Sequence, residues 1–590
     1  MAMSATDEKQ DPNRRPASPS PSVAAPDADA GAANKTNANI ASSDGGDEKQ
    51  QGPALDTSGS DIDGLKPDPA TSEDTHTPAE HEYIDGWRLF AVLTALTLTC
   101  FLMLLDMSIV ATAIPRITTE FHSLEDVGWY GAAYNLASGA LQPLAGKFYT
   151  YFKSKWTFLI FVFIFTLGSL LCGVATSSNM LIVGRAVAGM GTSGIQNGAM
   201  TIISNSLPLE KRPMHLGILL GFGQLGIVIG PLLGGAITEY STWRWCFYLN
   251  LPCTAAVGLV LWFTHIPERV AVVDHSAWET VRTKLDLSGF VMFAPAAVMF
   301  LLGLEYGGGK YSWSSATVLG LLIGSVALFA IFFFWERKQG DTAMFPFSML
   351  RRREVWTSML TGMFILGGVI FIPAFYLPIY FQSVKGDSPF TSGIHVLPNI
   401  LMSTFFAVLS GALVTRLGYY IPWVLFSAAA ASIACGLLST LGPDSTTAQW
   451  VGYQILLGSR GASLQMPMIA IQKVLPQSKI SVAMALLVFA QTFGSAVFLT
   501  ISQTIFSNSL SKYVAEYAPN VNFGKLLAAG ATGVHGVVSD ADLPGVLLAY
   551  ANSVDRVFYF CVAAAVAAFC AAWGMGWHDL RVKHESESHA

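Results

Sequence analysis

About fourteen apolar runs, most of them close to twenty residues long, follow one another along this chain. A helix of about twenty residues is long enough to cross the hydrocarbon core of a bilayer. A single water-soluble core could not cover so many runs, because only 13% of the residues are charged, against about 25% in soluble domains. The repeated runs therefore predict an all-α polytopic membrane protein.

Spacing of the runs gives both the number of membrane spans and their orientation. The predicted spans lie at 88–113, 127–147, 156–176, 180–204, 215–237, 245–265, 287–305, 315–335, 356–382, 393–415, 420–441, 448–473, 481–507 and 555–576. An even number of spans places both ends of the chain on one side. Most Lys and Arg residues of the loops lie on that same side, so the positive-inside rule predicts that both termini are cytosolic.

Two tails and one long loop are predicted outside the spans. Residues 1–84 are rich in Ala, Ser, Asp and Pro, and have no aromatic residue before Tyr83. Such a segment buries too little apolar surface to offset its chain entropy, so it is predicted to be a disordered cytosolic tail. The stretch from about 508 to 553 is predicted to be a long outer loop, and 579–590 a cytosolic C-terminal tail.

The fifth run, 217–235, reads GILLGFGQLGIVIGPLLGG and is unusually rich in glycine. Its glycines at 223, 226, 230 and 234 fall within about 80° of one another on a helical wheel. Within a bilayer, helices associate through close contact, and small residues allow two backbones to approach. The run therefore predicts a tightly packed helix interface.

Ionisable side chains inside spans are candidates for function, because burying a charge in a membrane is costly. Asp106 in the first span and Arg185 in the fourth are expected at a similar depth, where they can face each other. A carboxylate beside a buried arginine can be charged and paired, or protonated when its partner is drawn away. The pair is predicted to couple transport to protons; the alternative is a static ion pair that only fixes helix packing.

Other polar groups within spans are candidates for lining a substrate cavity. Arg460 could bind an anionic group of a substrate, or it could pair with a backbone carbonyl. The candidate set is Gln224, Gln382, Arg460, Gln465, Gln491 and Tyr376.

Several features exclude other classes of function. Gly189–Gly194 and Gly221–Gly226 fit a dinucleotide-binding pattern, but both lie within predicted membrane helices rather than after a strand. No phosphate-binding loop occurs, and the seven cysteines have no metal-ligand spacing. We therefore expect no cofactor, no metal, no ATP, no nucleic-acid partner and no enzymatic activity.

The glycine pattern of the fifth run has a known counterpart. Gly217, Gly226, Gly230-Pro231 and Gly234-Gly235 resemble the antiporter signature of the major facilitator superfamily, which also lies in the fifth span. Further segments resemble the fourteen-span drug–proton antiporters of that family: Leu105–Val110 with Ala113-Ile114-Pro115, Arg185–Gly191, Trp243–Trp245 with Phe247–Pro252, Gly307-Gly308, Leu377–Gln382 and Ser392-Gly393. The chain resembles fungal members that export toxins and secondary metabolites.

This resemblance implies a major facilitator fold with one six-helix bundle at 85–270 and another at 355–578. Two inserted spans at 271–354, with flanking cytosolic loops, separate the bundles. It implies proton-coupled efflux of amphipathic small molecules, either a fungal metabolite or xenobiotic drugs, across the plasma membrane or the vacuolar membrane. The sequence departs from the family pattern at Thr150, where an acidic residue is expected after the second span, and at Ala111, where asparagine is common.

Two other functions stay open at this point. The first is an importer of the same fold, such as a siderophore–iron carrier, although the fifth-span signature is associated with antiport. The second is a non-transporting membrane sensor that signals through its N-terminal tail. The importer differs from an exporter in the direction of substrate movement. The sensor differs because it needs the N-terminal tail, whereas an exporter should largely tolerate loss of the tail.

Overall fold

The computed structural model describes residues 83–123, 126–268, 277–308 and 311–581. The predicted N-terminal tail up to residue 82, and the C-terminal tail from residue 582, lie outside the described residues. Within the described ranges the regular structure is helical, apart from one isolated β-bridge between Gly307 and Tyr311.

Fourteen long helical segments, labelled α1 to α14, follow one another through the described residues. Their bounds are α1 Gly86–Phe121, α2 Val127–Tyr151, α3 Ser154–Gly173, α4 Ser178–Ser206, α5 Arg212–Tyr240, α6 Trp245–Phe263, α7 Leu287–Tyr306, α8 Ala316–Gln339, α9 Arg353–Ser383, α10 Pro389–Leu417, α11 Ile421–Leu438, α12 Thr447–Val474, α13 Gln477–Tyr517 and α14 Leu543–Ala572. Short helices occur at Ala277–Lys284, Phe347–Leu350 and Phe523–Val537.

The number of membrane crossings is only partly settled by these helices. Among the described residues, 11 helices are long and apolar enough to cross a membrane, and α2, α4 and α12 are not among them. Several polar residues of α2 and α4, including Gln142, Arg185 and Asn197, are buried. Because these side chains face other parts of the protein, they lower the helices' hydropathy without facing lipid. Fourteen spans stay a prediction.

The region predicted as a long outer loop, 508–553, is mostly helical. Helix α13 continues to Tyr517, a separate helix covers Phe523–Val537, and α14 begins at Leu543 rather than at 555. The Asn522 side chain caps the middle helix by accepting from the Lys525 backbone N–H at 3.1 Å. Hydropathy identifies only the apolar part of a helix, so these more polar helical ends were predicted as loop.

Within each half of the chain, the helices pack on one another. In the first half, α1 packs on α5, and α4 packs on both α2 and α3; in the second half, α14 packs on α11 and α13. The halves meet where α5 lies against α10 and where α2 lies against α13. The inserted helices α7 and α8 pack on each other, and α7 also contacts α2 and α13. The division at 85–270, 271–354 and 355–578 stays a prediction.

Helix α5 uses its glycines to approach α1 at backbone distance. A Cβ atom at Gly226 would lie 2.5 Å from the Phe101 carbonyl oxygen, and one at Gly230 would overlap the Ser108 side chain. Ser108 Oγ donates a hydrogen bond to the Gly226 carbonyl at 3.0 Å, which ties the two helices together. Gly217 instead faces the Ala407 carbonyl on α10, so the same run contacts both halves.

Two helices of the second half depart from α-helical geometry. Helix α9 contains a π-helical segment at Phe364–Phe371, and α12 is interrupted by a 3₁₀ turn at Ser459–Ser463. Such irregular turns often mark functional positions in helices. The 3₁₀ turn contains Arg460, which is buried.

Replacing Gly226 by alanine tests the close approach of α1 and α5. The added Cβ would collide with the α1 backbone, so we expect the free energy of unfolding to fall by about 1–3 kcal/mol. Gly235→Ala is the matched control, because a Cβ there meets open space and alanine is the better helix former. Thermal unfolding in detergent, followed by tryptophan fluorescence, measures both; equal unfolding temperatures would contradict the packing account.

Candidate functional site

The structure brings Asp106 of α1 and Arg185 of α4 into direct contact. Arg185 Nη1 lies 2.5 Å from Asp106 Oδ2, and each residue is only 1% exposed. A buried ion pair is stable only when further hydrogen bonds satisfy the remaining polar atoms of both groups. This juxtaposition is the one expected from the sequence, whereas its role in proton coupling stays a prediction.

Further partners from three helices complete the ion pair. Asn250 Nδ2 of α6 donates to Asp106 Oδ1 at 2.7 Å and to Ser169 Oγ of α3 at 3.1 Å. Arg185 Nε donates to the Tyr130 carbonyl at 2.9 Å. The Arg185 guanidinium also lies 4.3 Å from the ring centre of Tyr134, a cation–π distance. The charges are therefore stabilised by fixed dipoles of the surrounding helices.

The start of α6 is fixed to the far end of α1 by a second, more exposed ion pair. Trp243 Nε1 donates to Glu120 at 2.6 Å, and Arg244 lies 2.9 Å from the same carboxylate. The hydrogen bonds from Arg244 and Trp243 lower the pKa of Glu120, which lies beyond the apolar stretch Gly86–Val110 of α1. The Trp-Arg-Trp segment therefore fixes the α6 N-terminus to α1, and α6 carries Asn250.

A cavity of about 640 Å³ lies between the two halves. Helices α1, α2, α4 and α5 form one side, α9, α12 and α13 form the other, and α7 completes the wall. This volume lies within the range of about 300–1,000 Å³ that is typical of sites for drug-sized ligands. Tyr134 lines the cavity and also contacts Arg185, so its ring separates the ion pair from the cavity.

Three of the predicted cavity residues lie at the wall. These are Gln224 on α5, Tyr376 on α9 and Gln491 on α13. The sequence analysis missed the other polar groups of the wall. They are Asn135, Ser138, Thr192, Gln196, Glu305, Thr492, Ser495, Thr500 and Gln503. The rest of the wall is mainly aliphatic, with Met and Phe side chains, which suits an amphipathic ligand.

The other three candidates, Gln382, Arg460 and Gln465, do not line the cavity. The Gln465 amide is buried and donates to the Ala407 carbonyl of α10 at 2.9 Å, so it joins two helices of the same half. The Gln382 amide lies 3.4 Å from Ser392 Oγ. Arg460 is 3% exposed, and its Nε and Nη1 atoms have no hydrogen-bond partner within the described residues. Hydropathy located these polar groups in spans but could not show which helix face carries them.

At the end of the molecule that carries Lys147 and Arg212, hydrogen bonds join the two halves. Arg212 Nη1 donates to Gln472 Oε1 at 3.0 Å. Gln477 Nε2 donates to Asn205 Oδ1 at 2.9 Å. This is the end that the sequence predicts to be cytosolic. The cavity wall includes residues at the opposite end, where α2 begins and α7 ends.

The same end shows how the chain accommodates Thr150 in place of the expected acid. Thr150 Oγ1 donates to the Gly146 carbonyl of its own helix at 3.0 Å. Lys147 is 2% exposed, and its Nζ donates to the Thr342 carbonyl, beyond α8, at 3.0 Å. The segment after α8 is itself held by two carboxylates, since Asp286 accepts from Met344 N and Glu336 from Phe345 N. The inserted helices therefore supply an acceptor to the lysine of α2.

Two residues at the site went unrecognised in the sequence although each had a signal. Asn250 stands within the segment that resembles the start of the sixth span, but nothing in its spacing showed contact with Asp106. Glu305 is an acidic residue at the edge of a predicted span, 287–305, and its edge position favoured a loop over a cavity wall. Asn250 lies next to Asp106, and Glu305 lies at the cavity wall, because helices that are far apart in the sequence converge there.

The sequence of this chain is similar to those of known transporters. Residues 96–499 match the sequence profile of the Major Facilitator Superfamily. The MFS-type transporter pigP of Monascus ruber is 53% identical over 88% of this chain and 91% of its own length. The efflux pump mlcE of Penicillium citrinum is 47% identical over 87% of this chain and 94% of its own.

Solved structures share the fold at much lower identity. The human organic anion transporter MFSD10 superimposes with a TM-score of 0.52 at 12% identity, over 82% of this chain and 100% of that one. A variant of XylE superimposes with a TM-score of 0.54 at 14% identity, over 83% and 96% of the two chains. With the profile covering more than half of its length, this chain belongs to the major facilitator superfamily.

Proposed function

We propose that this protein is a proton-coupled exporter of amphipathic small molecules, either fungal secondary metabolites or xenobiotics. One observation carries the proposal: Tyr134 contacts Arg185 of the buried Asp106–Arg185 pair and also lines a cavity of drug-molecule size between the halves. A proton site and a substrate site that share one side chain can influence each other. The protein is then a transporter rather than an enzyme, and the proton gradient rather than ATP drives it.

Coupling follows from the two charge states of Asp106. As a carboxylate it accepts from Arg185 and Asn250, and the buried charges neutralise each other. A proton on Asp106 removes the attraction and leaves Arg185 with the Tyr130 carbonyl and the Tyr134 ring. The Tyr134 ring moves with the guanidinium and changes the cavity wall, so that proton binding and substrate binding oppose each other. Opposed binding of two ligands at a carrier is the basis of antiport.

Transport also requires the halves to move. We infer that the bundles at 85–270 and 355–578 rock about the cavity, as proposed for major facilitator transporters. In this structure the predicted cytosolic end is joined by the Arg212–Gln472 and Gln477–Asn205 hydrogen bonds. Opening that end breaks these bonds and exposes the cavity to the cytosol.

Relatives support the direction of transport. Of the relatives above, mlcE is named an efflux pump and pigP a transporter, and both align over most of their length. By analogy we propose efflux for this chain, with both termini in the cytosol and a location in the plasma membrane or the vacuolar membrane. An importer remains the competing function, and it predicts accumulation of substrate in intact cells rather than extrusion.

Proteoliposomes with an imposed proton gradient test the coupling role of Asp106. Rhodamine 6G, an amphipathic dye, is added, and proton movement is followed with a trapped pH-sensitive dye. We expect the wild type to show dye-dependent proton movement, and Asp106→Asn to lose it by tenfold or more because the variant has no carboxylate to protonate.

Glu120→Gln is the matched control for this experiment. Glu120 is on the same helix and also pairs with an arginine, but its side chain is 44% exposed. We expect this variant to keep the coupled movement, because the amide oxygen can still accept hydrogen bonds from Trp243 and Arg244. Coupling that persists in Asp106→Asn would contradict the assignment, and uptake into intact cells in place of extrusion would favour the importer.

Asn250→Ala tests whether the hydrogen bond to Asp106 supports the site. Removing the amide leaves the buried Asp106 oxygen without its donor, which should lower the free energy of unfolding by about 1–3 kcal/mol and reduce coupled transport. Asn552→Ala is the control, because the Asn552 amide makes only a 3.4 Å contact with Tyr517. Equal unfolding temperatures and equal transport in the two variants would show that Asn250 has no special role.

A further inference from the structure

The polar groups of the cavity wall have an uneven charge distribution. Within the described residues that form the wall, Glu305 is the one Asp, Glu, Lys or Arg. Five amide side chains accompany it: Asn135, Gln196, Gln224, Gln491 and Gln503. Asp106 and Arg185 neutralise each other behind Tyr134 and add no net charge. The wall is therefore negative at one point and neutral elsewhere.

Glu305 is placed to meet a ligand rather than to hold the fold together. It occupies the last turn of α7, and its side chain is exposed where it borders the cavity. Its Oε1 lies 3.8 Å from the position that a Cβ at Gly128 of α2 would occupy, so the glycine leaves space beside the carboxylate. Among the described residues no lysine, arginine or histidine forms an ion pair with it.

A second observation concerns the positive group that the sequence suggested for the cavity. Arg460, the arginine that the sequence suggested as an anion receptor, is buried in the 3₁₀ turn of α12 and does not reach the wall. Among the described wall residues, a carboxylate on a ligand would therefore lie near Glu305 without a cation to offset it. Like charges placed together at an interface are unfavourable, whereas an ammonium or hydroxyl group can donate to the carboxylate.

We propose that Glu305, supplied by an inserted helix, is the specificity-determining residue of the cavity and acts as its charge filter. It accepts from a cationic or hydrogen-bond-donating group of an amphipathic ligand and rejects ligands that carry a carboxylate. This inference rests on the proposed function, since it assigns the substrate class of the same cavity. The five amides of the wall then bind neutral carbonyl and hydroxyl groups of the ligand.

Two dyes with one fluorophore test the filter. Rhodamine 6G is a cationic ester, and its free acid, rhodamine 19, carries a carboxylate in place of the ester. Fluorescence anisotropy with purified protein in detergent gives the Kd for each. We expect the wild type to bind the ester at least about tenfold more tightly than the acid. Glu305→Gln should lose most of this preference.

Two further variants separate the filter from general effects on folding. Glu305→Asp keeps a carboxylate and should keep a preference for the ester. Glu336→Gln removes a buried carboxyl from the other inserted helix, away from the cavity wall, and should leave the preference unchanged.

The outcomes distinguish this inference from the proposed function. Wild-type protein that binds neither dye would argue against the cavity as a ligand site and so against both. Binding of both dyes with equal affinity, or a preference for the ester that survives in Glu305→Gln, would overturn the charge filter alone. A preference lost equally in Glu336→Gln would assign the effect to the packing of the inserted helices.

Discussion

The close approach of α1 and α5 places the central charge of this protein. Glycines on α5 contact α1 on both sides of Asp106 in the sequence, at Leu105 and at Ser108. In a bilayer, no hydrophobic force holds two helices together, so this contact depends on backbones that meet without intervening side chains. Because α1 is fixed against α5, Asp106 faces α4 and α6, where it contacts Arg185 and Asn250. The glycine-rich run and Asp106, which are more than a hundred residues apart in the sequence, therefore form one structural unit.

The inserted helices contribute to this unit rather than only lengthening the chain. At one end of the molecule, the segment after α8 accepts a hydrogen bond from Lys147, where the usual acidic partner is replaced by Thr150. At the other end, α7 brings Glu305 to the cavity wall. Helix α7 also contacts both α2 and α13, so it touches both halves of the protein.

Sequence reasoning located the elements better than it located the contacts between them. Hydropathy gave the order of the helices, and depth within the spans brought Asp106 and Arg185 together correctly. The same reasoning could not tell that Gln465 bonds to α10 while Gln491 faces the cavity, because helix rotation depends on neighbours far away in the chain. It also predicted a loop at 508–553, since polar helical ends look like loops when only apolar runs are counted. Glu305 was missed because the surroundings of a residue at the edge of a span depend on which helices pack there, and the sequence does not show this.

The central claim is that substrate and proton move in opposite directions through one site. The most direct measurement uses proteoliposomes with no imposed pH gradient, loaded on one side with rhodamine 6G at high concentration. As the dye flows down its own gradient, the account predicts that protons accumulate on the side from which the dye departs, because coupling between two ligands is reciprocal. Dye flow without any change in pH, or with protons moving in the same direction as the dye, would contradict it.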